Sequence, residues 1–198
     1  MTTLDATDST GLALRIRFTR ERDRYAHAIL AVEPSGREHL LLESVEGTPE
    51  DEFPPSPPLQ SLSIEELAPG RRAALLVGMA GRSHWSASIE AVPGIAALVF
   101  DIACRVANDP SLLYARTSGP VSLFSHYRSA ECPIPVIIAE NSRRESIHFG
   151  LTLFPMHATQ HSVISPNESA LHAPTAERLY GRTVRWQYCA ELNWPSQA

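Results

Sequence analysis

The sequence contains no lysine, so all 17 of its basic residues are arginine. Without lysine the chain has no residue for the Schiff bases of carbonyl and pyridoxal chemistry, or for the cation of a P-loop. The patterns G-x-S-x-G, G-x-G-x-x-G and H-E-x-x-H are also absent. Their absence weakens the hydrolase, dinucleotide-binding and zinc-protease interpretations.

Cysteine is scarce and widely spaced. Cys104, Cys132 and Cys189 form no C-x-x-C pair, which fits neither a disulfide framework nor a typical zinc site. No apolar run approaches the length of a membrane span, and residues 1–11 lack the basic start and apolar stretch of a secretory signal. We therefore expect a soluble protein of the reducing cytoplasm.

Charge and composition narrow the class further. The formal net charge is −5, and the apolar fraction is 43%. A modestly acidic chain lacks the basic footprint needed for phosphate backbones or anionic lipids. We predict no nucleic-acid partner, no membrane partner and no cofactor, and the length of 198 residues favours one domain.

Short segments with a period of two indicate β-strands. The first is Leu12–Phe18, the last is Thr183–Leu192, and a hairpin is predicted from Tyr25–Glu33 and Glu38–Val45 around Pro34-Ser35-Gly36. The turn Pro69-Gly70 predicts a second hairpin in which Ala68 pairs with Arg71. With that pairing Leu62 faces Val77 and Ile64 faces Leu75, giving an apolar face.

Other segments read as connections. Residues 1–11 are expected to be a flexible segment before a β domain at 12–194, and the acidic, proline-rich stretch 46–59 is expected to be a mobile surface loop. Residues 155–174 also carry loop signals, and Thr175–Tyr180 predicts one or two helical turns at most. The sequence thus predicts an all-β, single-domain antiparallel sandwich or partly open barrel with long loops.

The candidate ligand-binding cluster consists of Arg82, His84, Asp101 and Arg105. If Pro93-Gly94 forms a tight two-residue hairpin, His84 opposes Ala103, Arg82 opposes Arg105 and Asp101 lies diagonal to His84. Two arginines with a His/Asp pair on one face would suit an anionic ligand. An odd-length loop would flip the register and dissolve the cluster.

Several other residues could carry chemistry, and each has a plain structural alternative. His157 and His161 would form a metal pair if helical, but an ordinary polar loop is favoured. Cys104, Trp85 and Trp186 lie on apolar strand faces and are predicted to be core residues.

The resulting functional hypothesis is a non-catalytic module that binds a partner protein or a small polar or anionic ligand. One alternative is a small enzyme that acts on a carbohydrate or other polar metabolite through a His/Asp pair. The other is a metal-dependent protein that uses His157 and His161.

Overall fold

A computed structural model describes residues 1–107, 123–138, 150–156, 160–165, 168–172 and 180–194. These ranges are built from strands and contain no helix. In chain order the strands are β1 (Thr2–Thr7), β2 (Ala13–Glu21), β3 (Arg24–Val32), β4 (Glu38–Ser44), β5 (Leu59–Ala68), β6 (Arg71–Ala80), β7 (Ser83–Ala91), β8 (Ala97–Arg105), β9 (Phe124–Ser129), β10 (Val136–Ile138), β11 (Gly150–Met156), β12 (Gln160–Ser165), β13 (Glu168–His172) and β14 (Thr183–Asn193).

These strands form two packed sheets. The first has the order β1-β2-β3-β4-β9-β13-β12, and the second has the order β10-β11-β14-β8-β7-β6-β5. Neighbours are antiparallel apart from the parallel pair β10 and β11. Among the described strands neither sheet closes into a barrel. The predicted antiparallel sandwich is therefore confirmed.

The core is the apolar layer between the sheets. Alternate residues of β14 point into it, and Trp186 and Tyr188 are both 0% exposed. The Trp186 ring meets Trp85 edge to face at 6.1 Å between centroids, and Cys104 is fully buried nearby in β8. The prediction that these tryptophans and this thiol are core residues is confirmed. Burial of such aromatic side chains is a main source of stability in sandwiches.

The expectation of a flexible segment at residues 1–11 differs from the structure. β1 pairs with β2 along its length, and Leu4 and Ala6 are buried in the core. Only these two apolar residues alternate before Leu12, so the periodic signal is too short to identify a strand. Similarly, the stretch 155–174, expected to be loop, contributes the end of β11 and both β12 and β13.

The proline-rich stretch 46–59 is docked rather than mobile. Pro54, Ser56, Pro57 and Pro58 are buried, and the Ser56 hydroxyl donates to the His126 carbonyl at 3.1 Å. The His126 amide in turn donates to the Ser56 hydroxyl at 3.2 Å. Prolines lack an amide donor, so they can be covered without leaving an unsatisfied N–H group.

The hairpin at Pro69-Gly70 has the predicted closing pair, Ala68 with Arg71, but a bulge follows it. Beyond the bulge Leu62 opposes Leu76, and Ile64 opposes Ala74, one residue away from the predicted register. A shift of one residue exchanges the two faces of a strand. Leu75 and Val77, predicted to be on the apolar inner face, therefore point outward with Met79 and are 38%, 56% and 43% exposed.

No helix that is long and apolar enough to span a bilayer occurs in the part of the chain that the structure describes. The predicted helical turn at Thr175–Tyr180 lies outside the described residues except for Tyr180.

Candidate functional site

A cleft of about 460 Å³ opens where the turn between β2 and β3 meets the chain that leaves β4. The turn contributes Arg22, which has a positive φ of 54°, and the first residue of β3 is Arg24. The chain after β4 contributes Glu46. We call this cavity the Arg24–Glu46 cleft, and its lining is strongly polar: Thr19, Glu21, Arg22, Asp23, Arg24, Ala26, His27, Ala28, Glu43, Ser44, Val45, Glu46, Gly47 and Arg128.

Arg24 is an arginine at the wall of this cleft that is only 2% exposed. Its Nε donates to Asp23 at 3.0 Å, and its Nη2 donates to Asp23 at 3.1 Å and to the Thr48 carbonyl at 3.0 Å. The guanidinium lowers the pKa of the Asp23 carboxyl through these hydrogen bonds. The remaining nitrogen, Nη1, is buried without a hydrogen-bond partner among the described residues. Buried polar atoms are normally satisfied, so Arg24 has one donor nitrogen, with two N–H groups, in reserve.

Glu46 carries the matching acceptor. Its Oε1 accepts a hydrogen bond from the Ser44 hydroxyl at 2.6 Å, and its Oε2 is buried with no partner within the described ranges. Burial raises the pKa of this carboxyl from 4.5 to about 7, against the opposing effects of the Ser44 hydrogen bond and of Arg24. At neutral pH the group exists in both protonation states, and Oε2 either donates or accepts.

A chain of hydrogen bonds leads from the cleft into the core. His27, which lines the cleft, is paired through Nε2 with the Tyr127 hydroxyl at 2.8 Å, and Tyr127 is paired with the Tyr188 hydroxyl at 2.6 Å. Beside them Trp186 donates from Nε1 to the Ser125 hydroxyl at 3.2 Å. Burial lowers the pKa of His27 to about 4, so the imidazole is neutral at physiological pH. These bonds join β3 and β9 of one sheet to β14 of the other.

The charges around the cleft nearly balance. Its lining holds the cations Arg22, Arg24 and Arg128 and the carboxyl groups of Glu21, Asp23, Glu43 and Glu46. Two cations are already paired, Arg24 with Asp23 and Arg128 with Glu168. A polyanion or polycation therefore gains little here. The two unsatisfied atoms, Arg24 Nη1 and Glu46 Oε2, suit an uncharged or zwitterionic molecule. Such a molecule would offer an acceptor to Arg24 and a donor or acceptor to Glu46.

The structure does not gather the predicted cluster into one group. His84 opposes Arg105 rather than Ala103, and Asp101 opposes Ser88 rather than Ser86. His84 and Asp101 are thus four residues apart along the paired strands, about 13 Å. The register prediction for this hairpin was wrong by two residues, although the same side chains share a face.

The physical reason lies in the loop. The last strand pair is Ala91 with Leu98, and the loop closes with a hydrogen bond from the Val92 amide to the Ala97 carbonyl at 3.0 Å. Pro-Gly favours a type II turn, whose twist fits a two-residue hairpin poorly. A connection longer by two residues forms instead. Because two is an even number, the same side chains still point toward the core.

His84 and Arg105 are direct cross-strand partners, whereas Asp101 has separate surroundings. Asp101 accepts two hydrogen bonds from Arg185 of β14. The bond from Arg185 Nε to Asp101 Oδ1 is 2.6 Å long. His84 lies between Met79 and Arg105 on the neighbouring strands. Arg82 belongs to the turn between β6 and β7. Their binding role stays a prediction, without the His/Asp pair that would supply acid and base.

Sequence reasoning did not find Arg24 or Glu46. Arg24 reads as the polar start of a strand, and Glu46 reads as the start of a solvated acidic loop. Arg24 and the Oε2 atom of Glu46 are buried, and the chain after Glu46 contributes the Thr48 carbonyl that accepts a hydrogen bond from Arg24. Such a contact between segments distant in sequence has no local signal. Glu46 stands out as a candidate site residue only once the structure shows that the proline-rich stretch after it is docked.

Of the predicted metal-binding pair, His157 and His161, only His161 lies within the described residues. His157 lies outside the described residues, and His161 falls in β12, where the stretch 160–165 forms a strand rather than the expected loop. Within the described ranges no group of three His, Cys, Asp or Glu residues could hold a metal ion.

The cleft thus combines a donor nitrogen that has no partner among the described residues, a carboxyl group whose pKa lies close to neutral pH, and nearly balanced charges. Comparison with known proteins adds no function to this geometry, since no protein-family model matches the chain and no curated protein matches its sequence.

Proposed function

We propose that the protein is a non-catalytic binding module that takes a small polar ligand into the Arg24–Glu46 cleft. One observation carries the proposal: Arg24 and Glu46 line the same cleft, and each has a buried polar atom, Nη1 and Oε2, without a partner among the described residues. An unsatisfied buried polar atom costs about 1–3 kcal/mol, more when charged. A ligand that satisfies both atoms would recover that free energy on binding.

The ligand class follows from charge and size. A cavity of about 460 Å³ is in the range of small-molecule sites. The balanced lining favours an amide, a sugar or a zwitterionic amino acid over a phosphate. The net charge of −5 likewise supports a protein that avoids nucleic acids and membranes.

The enzyme alternative has less support. It required a His/Asp pair, and His84 and Asp101 stand apart in the hairpin. His27, the histidine that lines the cleft, is paired through Nε2 with the Tyr127 hydroxyl. Among the described residues neither histidine forms the pair with a carboxylate that this alternative needs.

A thermal-shift screen tests the proposal. The panel contains uncharged amides, sugars and amino acids, with inorganic phosphate as an anionic comparison. We expect at least one uncharged or zwitterionic compound to raise the melting temperature, by the stabilisation that ligand excess gives, about 2.7 kcal/mol at 100-fold Kd.

Matched variants locate the binding. Arg24→Met and Glu46→Gln should remove the shift, and Arg37→Met, in the exposed turn between β3 and β4, should keep it. Glu46→Gln preserves shape and removes only the titrating group, so it serves if Arg24→Met folds poorly. Equal shifts in all variants, or no shift from any compound, would contradict the proposal.

We also propose a reducing compartment such as the cytoplasm. Cys104 and Cys132 are free thiols in the structure, which supports an environment that keeps thiols reduced.

A further inference from the structure

The outer face of the second sheet has an apolar ridge beside a trough of small side chains. We define the ridge as Leu75, Val77 and Met79 of β6, which are 38%, 56% and 43% exposed. The trough is formed by Ser86 and Ser88 of β7 and Ala103 of β8. Large exposed aliphatic side chains in a row are unusual on a sheet face that remains in water.

The strand register places ridge and trough side by side. Val77 is next to Ser86, which is next to Ala103, and Leu75 is next to Ser88. Two adjoining cavities of about 640 and 510 Å³ lie over these residues. The surface is therefore raised along β6 and lowered along β7 and β8, and the two features run parallel to the strands.

We propose that this face binds the same face of a second copy of the chain, as a two-fold symmetric dimer. A two-fold axis parallel to the strands and above the gap between β6 and β7 places Val77 and Leu75 of each copy over Ser86 and Ser88 of the other. A two-fold interface needs a surface that complements itself, with residue i of one copy on residue j of the other and the reverse. A ridge adjacent and parallel to a trough meets that need, and sheets commonly pack face to face.

The available area agrees with a dimer of modest affinity. Four strands, β5 to β8, spaced about 4.8 Å apart, over seven residues that rise about 3.4 Å each, cover about 450 Å². Two copies would bury about 900 Å², the size of a weak, transient interface. The exposed pair Arg185–Asp101 lies at the border of the trough, where a polar rim is expected.

Sedimentation equilibrium over a micromolar concentration series tests the dimer, with far-UV circular dichroism to verify folding. We expect the wild type to pass from monomer to dimer and Val77→Arg to weaken association at least tenfold, as expected for an interface centre. The control is Ile137→Arg, an equally apolar exposed site on β10, 38% exposed and at the far edge of the same sheet. It should leave the dimerisation constant within about twofold of the wild type.

A second measurement checks the geometry. In a mixture of isotope-labelled and unlabelled protein, the methyl groups of Val77 should show intermolecular NOEs to Ser86. A wild type that stays monomeric across the series overturns the proposal and leaves the face to a different partner. A dimer that Val77→Arg does not weaken, or that lacks these NOEs, overturns it as well.

Discussion

Tyr127 illustrates how much one hydroxyl group can organise in this core. It is 1% exposed and stands between His27 and Tyr188, with a hydrogen bond to each. Burial raises its pKa well above 10, so the group remains a neutral hydroxyl. Its two hydrogen-bond partners, His27 and Tyr188, belong to opposite sheets. The hydroxyl group therefore links the two sheets across the core.

Replacing Tyr127 with Phe should lower the free energy of unfolding by about 1–3 kcal/mol, because the buried imidazole of His27 loses its partner. Urea denaturation measures the change. The control is Tyr25→Phe, a partly buried tyrosine whose ring faces Arg20, and it should change stability by less than about 0.5 kcal/mol. Equal stability of Tyr127→Phe and wild type would mean that the hydrogen-bond chain contributes nothing.

At the residue scale the sequence predicted burial well and partners poorly. Trp85, Trp186 and Cys104 follow an alternating apolar pattern, and such a pattern identifies a core face directly. Arg24 and Glu46 became site residues because of packing between segments that are distant in sequence. Polar burial depends on what covers a side chain, and no local pattern encodes that.

At the scale of strands and loops, the outcome depended on turns. The period of two predicted β2, β3, β4 and β14 nearly within their bounds. Registers were less accurate because a bulge between Glu66 and Ala68 and a longer loop after Val92 each changed the pairing of residues. A one-residue bulge moved Leu75 and Val77 to the outside, and this is the origin of the ridge.

The docked stretch 46–59 is held by a close approach at Gly78 of β6. A Cβ at this position would lie 1.8 Å from the Pro58 carbonyl oxygen, so any larger residue must push the stretch away. We expect Gly78→Ala to lower stability by about 1–3 kcal/mol and to open the loop to chymotrypsin at Phe53, which packs against the core.

Limited proteolysis followed by mass spectrometry compares the cleavage rates. The wild type should resist cleavage at Phe53, and so should Ser86→Ala, a small change on the outer face of the neighbouring strand. If Gly78→Ala is cleaved no faster than the wild type, the stretch 46–59 accommodates the methyl group and stays docked. The close approach at Gly78 then has little structural effect.

For the whole molecule, two buried groups make stability depend on pH with opposite signs. Burial lowers the pKa of His27 from 6.5 to about 4, so its contribution is present above 6.5 and is lost as pH falls through 4. Burial raises the pKa of Glu46 from 4.5 to about 7, so its contribution is present below 4.5 and is lost as pH rises through 7. Their slopes oppose each other in the window that both cover.

Glu46→Gln should separate the two effects. Without the carboxyl group, stability between pH 4.5 and 6.5 should rise with pH. His27 contributes up to about 1.4 kcal/mol per unit, and His126, whose pKa burial also lowers, adds to the same slope. The wild type should be flatter there and lose up to about 3 kcal/mol relative to the variant by pH 8. Urea denaturation across the pH series measures this, and Glu43→Gln, on the exposed part of β4, should follow the wild type. Parallel curves for Glu46→Gln and wild type would show that Glu46 titrates as a solvated carboxyl group.

The bond between His27 and Tyr127 joins residues 100 positions apart in the chain, and this separation has a consequence for folding time. The chain leaves the first sheet after β4, builds β5 to β8 in the second, and returns to place β9 beside β4. Hairpins such as β5–β6 close within microseconds, whereas pairings between remote segments must first overcome the entropy of closing a long loop. Topologies dominated by such pairings fold over milliseconds to seconds. The seam between β4 and β9 should therefore form late, and until it does the edge of β4 is an unpaired strand to which another chain can add.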